Sequence, residues 1–76
     1  MNKSRRKQIE SVIGKLEEIK SEIDMIREEE QDCLWNMPEN LQGSERYERA
    51  EEAVSDMDSA MDDLEEVIEL LEGAME

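Results

Sequence analysis

The sequence predicts an all-α fold, an antiparallel hairpin of two long helices that resembles a coiled coil. Three observations predict it. Apolar residues recur at alternating steps of three and four along two long stretches. Between the stretches lie the only proline, Pro38, and a nearby glycine, Gly43. Charged residues make up 42% of the chain and aromatic residues only 3%, as is typical of helical bundles. We expect one domain over residues 1–76, with helices over about 4–36 and 44–75 and a corner over 37–43.

The chain is short for a protein that folds alone. A chain of 76 residues buries only about 60% of the surface that its unfolded state exposes, so a single core is marginal. Oligomerisation is a common remedy in small helical proteins. We therefore expect two hairpins to assemble into a four-helix bundle dimer, or into a larger oligomer.

The first helix, which Ser4 is expected to cap, carries a heptad repeat. Its a positions are Ile9, Leu16, Ile23, Glu30 and Met37, and its d positions are Val12, Ile19, Ile26 and Cys33. These two rows are predicted to face the second helix, with Cys33 as a small core residue. Row e adds Ile13 and Leu34, which widen the apolar stripe. Glu30 either reaches water where the helices splay or makes a polar contact that sets the register.

The corner is the only strong interruption of the helical pattern. Pro38 disfavours helical geometry in the preceding residue, so the first helix should end near Asn36. Pro38 can then open a single turn that runs through Leu41, which we expect to pack inward. Gly43 permits a positive φ angle, and Ser44 is predicted to cap the second helix.

Two side chains near the corner are candidate anchors for a partner protein. Trp35 is the only tryptophan of the chain. It either packs beneath the corner or stands exposed as an anchor, since tryptophan is frequent among the residues that dominate binding energy at interfaces. Leu41 is the second candidate anchor.

The corner also carries a family resemblance. The stretch Met37–Glu48 reads MPENLQGSERYE and leads into an acidic helix, and the chain opens with the basic stretch Lys3–Lys7. Both features resemble small proteins of unassigned function that phages and prophages of Gram-positive bacteria encode. The resemblance covers nearly the whole chain. It implies an accessory role in the infected or lysogenic bacterial cell, and it identifies no catalytic or binding residues.

The second helix has an unbroken heptad repeat, which predicts a left-handed supercoil. Its a and d positions are Tyr47, Ala50, Val54, Met57, Met61, Leu64, Ile68, Leu71 and Met75. A further row of small residues follows at g. With two residues of the first helix, this row is the predicted oligomer interface: Ile13, Leu34, Ala53, Ala60, Val67 and Ala74.

The charge is concentrated on the second half of the chain. The net charge is −14, and the segment from Ala50 to Glu76 holds 11 acidic residues and no basic one. Direct binding to nucleic acid or to an anionic membrane is disfavoured, because both rest on positive charge. A basic protein is the predicted partner. The predicted partner-binding face consists of Glu51, Glu52, Asp56, Asp58, Asp62, Asp63, Glu65, Glu66 and Glu69.

The N-terminal cations are expected to lie near the C-terminal acids once the helices fold antiparallel. The cations are Lys3, Arg5, Arg6 and Lys7, and the acids are Glu69, Glu72 and Glu76. Exposed pairs of this kind contribute only about 0–1 kcal/mol each, so they would select the orientation of the helices more than they stabilise it.

The composition argues against an enzyme. The chain has no histidine, and Cys33 therefore lacks a histidine that could activate it as a nucleophile. We predict no catalytic residue, no metal site and no cofactor. With a single cysteine, no internal disulfide can form, which fits the reducing cytoplasm.

Three functions remain open at this stage. The first is a phage accessory protein that inhibits a host nucleic-acid-binding or defence protein, through a helix face that mimics the charge of nucleic acid. The second is a structural or assembly coiled-coil module without inhibitory activity. The third is a sponge for a small ligand or an ion.

Overall fold

The computed structural model describes all 76 residues as two long antiparallel helices and contains no strand. Helix α1 spans Lys3–Trp35 and helix α2 spans Glu45–Ala74, and the turn between them includes a short 3-10 helix, Glu39–Leu41. The molecule measures 60 × 15 × 12 Å. The predicted all-helical hairpin is confirmed, and each helix begins and ends within one residue of the expected position.

The ends of α1 are held by two asparagine side chains. Asn2 caps the helix, and its Oδ1 accepts a hydrogen bond of 2.8 Å from the backbone N–H of Arg5. The prediction that Ser4 is the cap was wrong, because Asn is at least as good a cap as Ser and Asn2 allows α1 to begin one residue earlier. At the other end, the Asn36 side-chain Nδ2 donates to the backbone oxygen of Asp32 at 2.9 Å.

The corner folds largely as its residue types dictate. The backbone N–H of Leu41 donates to the carbonyl oxygen of Pro38 at 2.9 Å, which closes the short turn. Gly43 adopts a φ angle of +86°, and the Ser44 hydroxyl accepts from the N–H of Tyr47 at 3.3 Å. The expectation that Leu41 packs inward was wrong, since its side chain is exposed. The chain enters the cap of α2 three residues later, so Leu41 stays at the outer edge of the turn.

Two ion pairs fix the register of the hairpin. Lys20 Nζ lies 2.7 Å from Glu65 Oε2, and Arg27 Nε lies 2.8 Å from Asp58 Oδ1. Seven residues separate the two partners on each helix, so α1 and α2 run antiparallel in step. Continuing this register places Ile9 level with the last residue of the chain. The residues of α1 before Ile9 therefore extend beyond the end of α2.

Helix α1 faces α2 with rows a and e of its heptad, and not with the predicted rows a and d. Ile13 and Leu34 of row e are buried, whereas Val12, Ile19 and Ile26 of row d are 44%, 45% and 55% exposed. Cys33, predicted as a core residue, is also exposed. The prediction was wrong: row e is turned toward α2, with Ile13 and Leu34 buried and with Lys20 and Arg27 paired to α2.

Helix α2 faces α1 with rows a and d. Val54 and Ile68 are buried, and the remaining members of the two rows are half-buried. Ile68 is the most enclosed side chain of the protein, at 2% exposure. Only four of the 76 residues are buried, and all four are aliphatic. The hairpin alone therefore has a thin core, as the length of the chain leads one to expect.

Candidate interaction surfaces

The nine carboxylates of the predicted partner-binding face do not all lie on one surface. Asp58 and Glu65 turn toward α1 and pair with Arg27 and Lys20. The other seven carboxylates are exposed and form no ion pair within 4 Å. We call these seven residues the acidic face: Glu51, Glu52, Asp56, Asp62, Asp63, Glu66 and Glu69.

The acidic face is a dense array of negative charge. Its seven carboxylates span Glu51 to Glu69, a length of about 27 Å at the rise of an α-helix. This gives roughly one charge for every 4 Å of helix axis, close to the value of about 3.4 Å for one strand of duplex DNA. No cation of α1 lies within 4 Å of these side chains, and Lys20 acts only on Asp62 through its charge, so most of their charge is free to act on a partner.

The two interhelical ion pairs define a second surface, which we call the ion-pair face. The hydrogen bond and charge of Glu65 raise the pKa of Lys20, with further contributions from Asp62 and Glu17. The two side chains of this pair remain in contact with water, at 36% and 49% exposure. The pair therefore specifies the register of the helices and adds little to stability.

The third surface is apolar and lies on the opposite side of the hairpin from the ion-pair face. Row d of α1 and row g of α2 flank the seam there. Cys33 and Ala53 line one shallow groove near the corner, together with Met37, which shows that the two rows share a side of the molecule. We call this surface the open face, and it consists of Val12, Ile19, Ile26, Cys33, Ala53, Ala60, Val67 and Ala74.

Most of the predicted oligomer interface lies on the open face. Ala53 and Ala60 are half-buried beside the seam, and Val67 and Ala74 are exposed. Ile13 and Leu34 differ, because they are buried between the two helices of the same chain and are not accessible to a second one. Row d of α1, which is exposed, was not predicted as part of this interface. Its signal was present, since helices of bundles carry a third apolar row beside a and d.

The basic N-terminal end stands apart from the acids that were expected to neutralise it. None of Lys3, Arg5, Arg6 or Lys7 lies within 4 Å of a carboxylate, so the expected pairing was wrong. The register explains the difference, because these residues precede Ile9 and overhang the end of α2. We call the segment 3–7 the basic overhang.

The two candidate anchors are both exposed. Trp35 is 75% exposed and lines a shallow groove on the outer side of α1, beside Gln31 and Asp32. The expectation that Trp35 packs beneath the corner was therefore wrong, and the alternative, an exposed side chain, remains. Row f, which Trp35 occupies, points away from the seam, and the heptad position alone gives this orientation. Leu41 is exposed at the neighbouring turn.

No three His, Cys, Asp or Glu side chains are arranged so that they could hold a metal ion. Neither helix contains a stretch long and apolar enough to cross a lipid bilayer. Comparisons with protein-family models, with curated proteins and with solved structures give no match for this chain.

Proposed function

We propose that this protein is a non-catalytic binding protein whose acidic face engages a basic partner protein. The observation that carries the proposal is the density of unpaired carboxylates along α2, from Glu51 to Glu69. The electrostatic field of such carboxylates attracts a groove lined by Lys and Arg, accelerates association and orients the partner. The rigid backbone of α2 holds the charges in place, so a partner need not order them on binding.

The spacing of the charges favours a partner that binds nucleic acid. A protein that recognises phosphates presents Lys and Arg at intervals that match the charges of a nucleic-acid strand. The acidic face offers a similar linear charge density, so it would occupy such a groove and exclude the natural ligand. Together with the resemblance to phage-encoded proteins, this supports an inhibitor of a host nucleic-acid-binding or defence protein in the bacterial cytoplasm.

The experiment is affinity capture from a bacterial lysate, with duplex DNA as competitor. The expected result is capture of a nucleic-acid-binding protein that excess DNA displaces. The variant Asp62→Asn/Asp63→Asn/Glu66→Gln removes three charges from the acidic face and should lose the capture. The control Glu10→Gln/Glu18→Gln/Glu28→Gln removes the same number of charges from exposed positions of α1 and should still capture the partner.

Salt provides a second readout on the captured protein. Exposed charges are screened over a Debye length of about 10 Å at 0.1 M salt, so binding through the acidic face should weaken steeply as salt rises. Equal loss of binding in the triple variant and in its control would show that only net charge matters. Capture that DNA does not displace would refute the nucleic-acid mimic.

A second function is favoured by a different observation, the exposure of Val12, Ile19 and Ile26 on the open face. Their heptad spacing is that of residues at a helix–helix seam, yet no helix of the hairpin covers them. A structural or assembly module that pairs two hairpins into a four-helix bundle would cover these residues. The two functions are compatible, because the acidic face and the open face occupy different rows of the helices.

A further inference from the structure

The open face is an extended strip of apolar side chains with no partner in the hairpin. The register set by the two ion pairs places Val12 near the level of Ala74 and Ile26 near that of Ala60. At the same spacing, Ile19 lies near Val67, and Cys33 near Ala53, with which it shares a groove. Each level thus carries one side chain from α1 and one from α2.

We propose that a second copy of this chain covers the open face, in an antiparallel orientation with its corner beside the first copy's basic overhang. The inference rests on the self-pairing put forward above and deepens it by naming the contacts and the orientation. The twofold axis would run perpendicular to the long axis of the hairpin, at the level midway between Ile19 and Ile26. Helix α1 then packs on α1 of the second copy, and α2 on α2.

The apolar rows are self-complementary about this axis. In antiparallel order, Val12 meets Cys33 of the second copy, and Ile19 meets its Ile26. The same axis pairs Ala60 with Val67 and Ala53 with Ala74, because the rows of the two helices lie at matching levels. A single axis therefore serves both rows, and each apolar side chain on the open face gains an apolar neighbour.

The burial within one hairpin also points to a second copy. Only four side chains are buried, which is a small core for a chain of this length. Helix α1 carries apolar residues in rows a and d and at two positions of row e, Ile13 and Leu34, and α2 carries them in rows a, d and g. That composition is typical of helices that touch two neighbours in a bundle, whereas a two-helix seam needs only two rows.

The charges beside the open face select the antiparallel orientation. Row g of α1 borders the face with Lys15, Glu22 and Glu29. About the proposed axis Lys15 meets Glu29 of the second copy, twice in the dimer. Like charges meet only at the axis itself, where Glu22 faces Glu22 and Asp63 faces Asp63.

The other arrangement places both corners at the same end. It would set Glu22 against Asp63 of the second copy and Glu29 against its Asp56. Each of these repulsions would occur twice, without a compensating attraction. The charges therefore disfavour this arrangement.

The basic overhang gives a second electrostatic argument for the same orientation. In the antiparallel dimer it extends along the corner of the second copy, where the three acids Glu39, Glu45 and Glu48 outnumber the two bases Arg46 and Arg49, the second of which pairs with Glu45. The overhang that has no partner within its own hairpin thus obtains an acidic one. With the corners together, both overhangs would project into water at the same end.

Sedimentation equilibrium and spin-label distances together test the inference on the full chain. The wild-type protein is expected to sediment as a dimer. Ile19→Gln/Ile26→Gln, which alters side chains exposed in the hairpin, should weaken dimerisation by at least about a hundredfold and leave the helical circular dichroism of the monomer intact. The control Met25→Gln changes an exposed apolar residue on the outer side of α1 and should dimerise as the wild type does.

A nitroxide label on the native Cys33 then measures the orientation. Antiparallel copies separate the two labelled backbones by about 32 Å along the bundle, since 21 residues lie between the levels of Cys33 and Val12. Copies with their corners together place them at one level, about 14 Å apart across the bundle. A second label, at position 4 in Ser4→Cys/Cys33→Ala, should give about 55 Å in the antiparallel dimer.

The outcomes distinguish this inference from the proposed function. A monomer at high concentration would refute the self-pairing, and a dimer with short distances from both labels would refute the orientation. Neither result would abolish capture of a basic partner by the acidic face. The effect of salt also distinguishes dimerisation from partner binding. A chain of net charge −14 should dimerise more tightly as salt screens the repulsion between its copies. The acidic face should instead bind a basic partner more weakly as salt rises.

Discussion

The rotation of the α1 seam can be tested by comparing two residues of similar volume. Leu34 of row e is 4% exposed, whereas Ile26 of row d is 55% exposed. If rows a and e face α2, the substitution Leu34→Ala should destabilise the isolated hairpin far more than Ile26→Ala does. If rows a and d faced α2, as the heptad pattern alone predicts, the order would be reversed.

The magnitude follows from the area that each side chain removes from water. A fully buried Leu or Ile contributes about 1.5–3 kcal/mol relative to an exposed one. Leu34 is almost fully enclosed, so Leu34→Ala should cost about 2 kcal/mol, at the lower end of the range of about 2–5 kcal/mol for such substitutions because a two-helix seam can partly collapse. Ile26 is covered over about half of its surface, so Ile26→Ala should cost less than about 1 kcal/mol in the monomer.

Urea unfolding followed by circular dichroism provides the measurement, at a protein concentration where sedimentation shows a monomer. The slope of free energy against urea should be unchanged in both variants, which establishes that the same surface unfolds. Equal costs, or a larger cost for Ile26→Ala under these conditions, would refute the a/e seam. At higher concentration the Ile26→Ala variant should lose further stability relative to the wild type, because dimerisation then contributes.

Four further predictions concern two glycines, one ion pair and the tryptophan. Gly14→Ala should stabilise the protein by about 1 kcal/mol, because Gly14 lies within α1 with open space around it, and thermal melting would contradict this if the midpoint fell. Gly43→Ala should instead cost about 1–2 kcal/mol, because the residue adopts a positive φ, and an unchanged midpoint would argue against that geometry. A double-mutant cycle on Arg27 and Asp58 should give a coupling of at most about 1 kcal/mol that falls with salt, and a larger, salt-independent value would indicate a buried pair. Trp35 fluorescence should be readily quenched by acrylamide in the free protein, and protection would show that the side chain is covered.

The sequence predicts the helices and the corner because those features depend on local chemistry. Pro38 restricts the residue before it, Gly43 supplies a positive φ, and Ser44 caps the helix that follows, whatever the rest of the chain does. The cap of α1 was missed because Asn2 and Ser4 are both suitable residues within one turn. Local chemistry allows either, and the choice depends on where the first helical hydrogen bonds form.

The seam of α1 could not be predicted from the heptad pattern alone. Val12 and Ile13 are adjacent apolar residues, and a rotation of the helix by less than a third of a turn exchanges one for the other. In the observed rotation Lys20 and Arg27, in the same row as Ile13, pair with carboxylates of α2. Periodicity analysis counts apolar residues and does not include this contribution.

The acidic face could be predicted from the charge pattern of the sequence, whereas the open face also depends on how the two helices pack. Seven of the nine acids from Glu51 to Glu69 face outward because rows a and d of α2 are apolar, as the pattern predicts, whereas Asp58 and Glu65 turn toward α1. The α1 part of the oligomer interface was predicted at Ile13 and Leu34, which are buried within the hairpin, because the rotation of α1 was misjudged. The small-residue row from Ala53 to Ala74 lies beside the seam in either rotation, so that half of the open face was predicted.

The proposed dimer gives the acidic face a property that one hairpin lacks. Packing α2 on α2 places two acidic faces side by side, and the twofold axis makes them antiparallel. Duplex DNA also presents two antiparallel rows of negative charge, and many proteins that bind it are themselves twofold symmetric. The dimer would therefore match a basic site built for a duplex better than a single helix does.

A variant that dimerises poorly, such as Ile19→Gln/Ile26→Gln, should accordingly retain binding to a basic partner but with lower affinity, although none of its substitutions lies on the acidic face. Unchanged affinity would show that one helix suffices and that the partner's groove is fitted to a single strand.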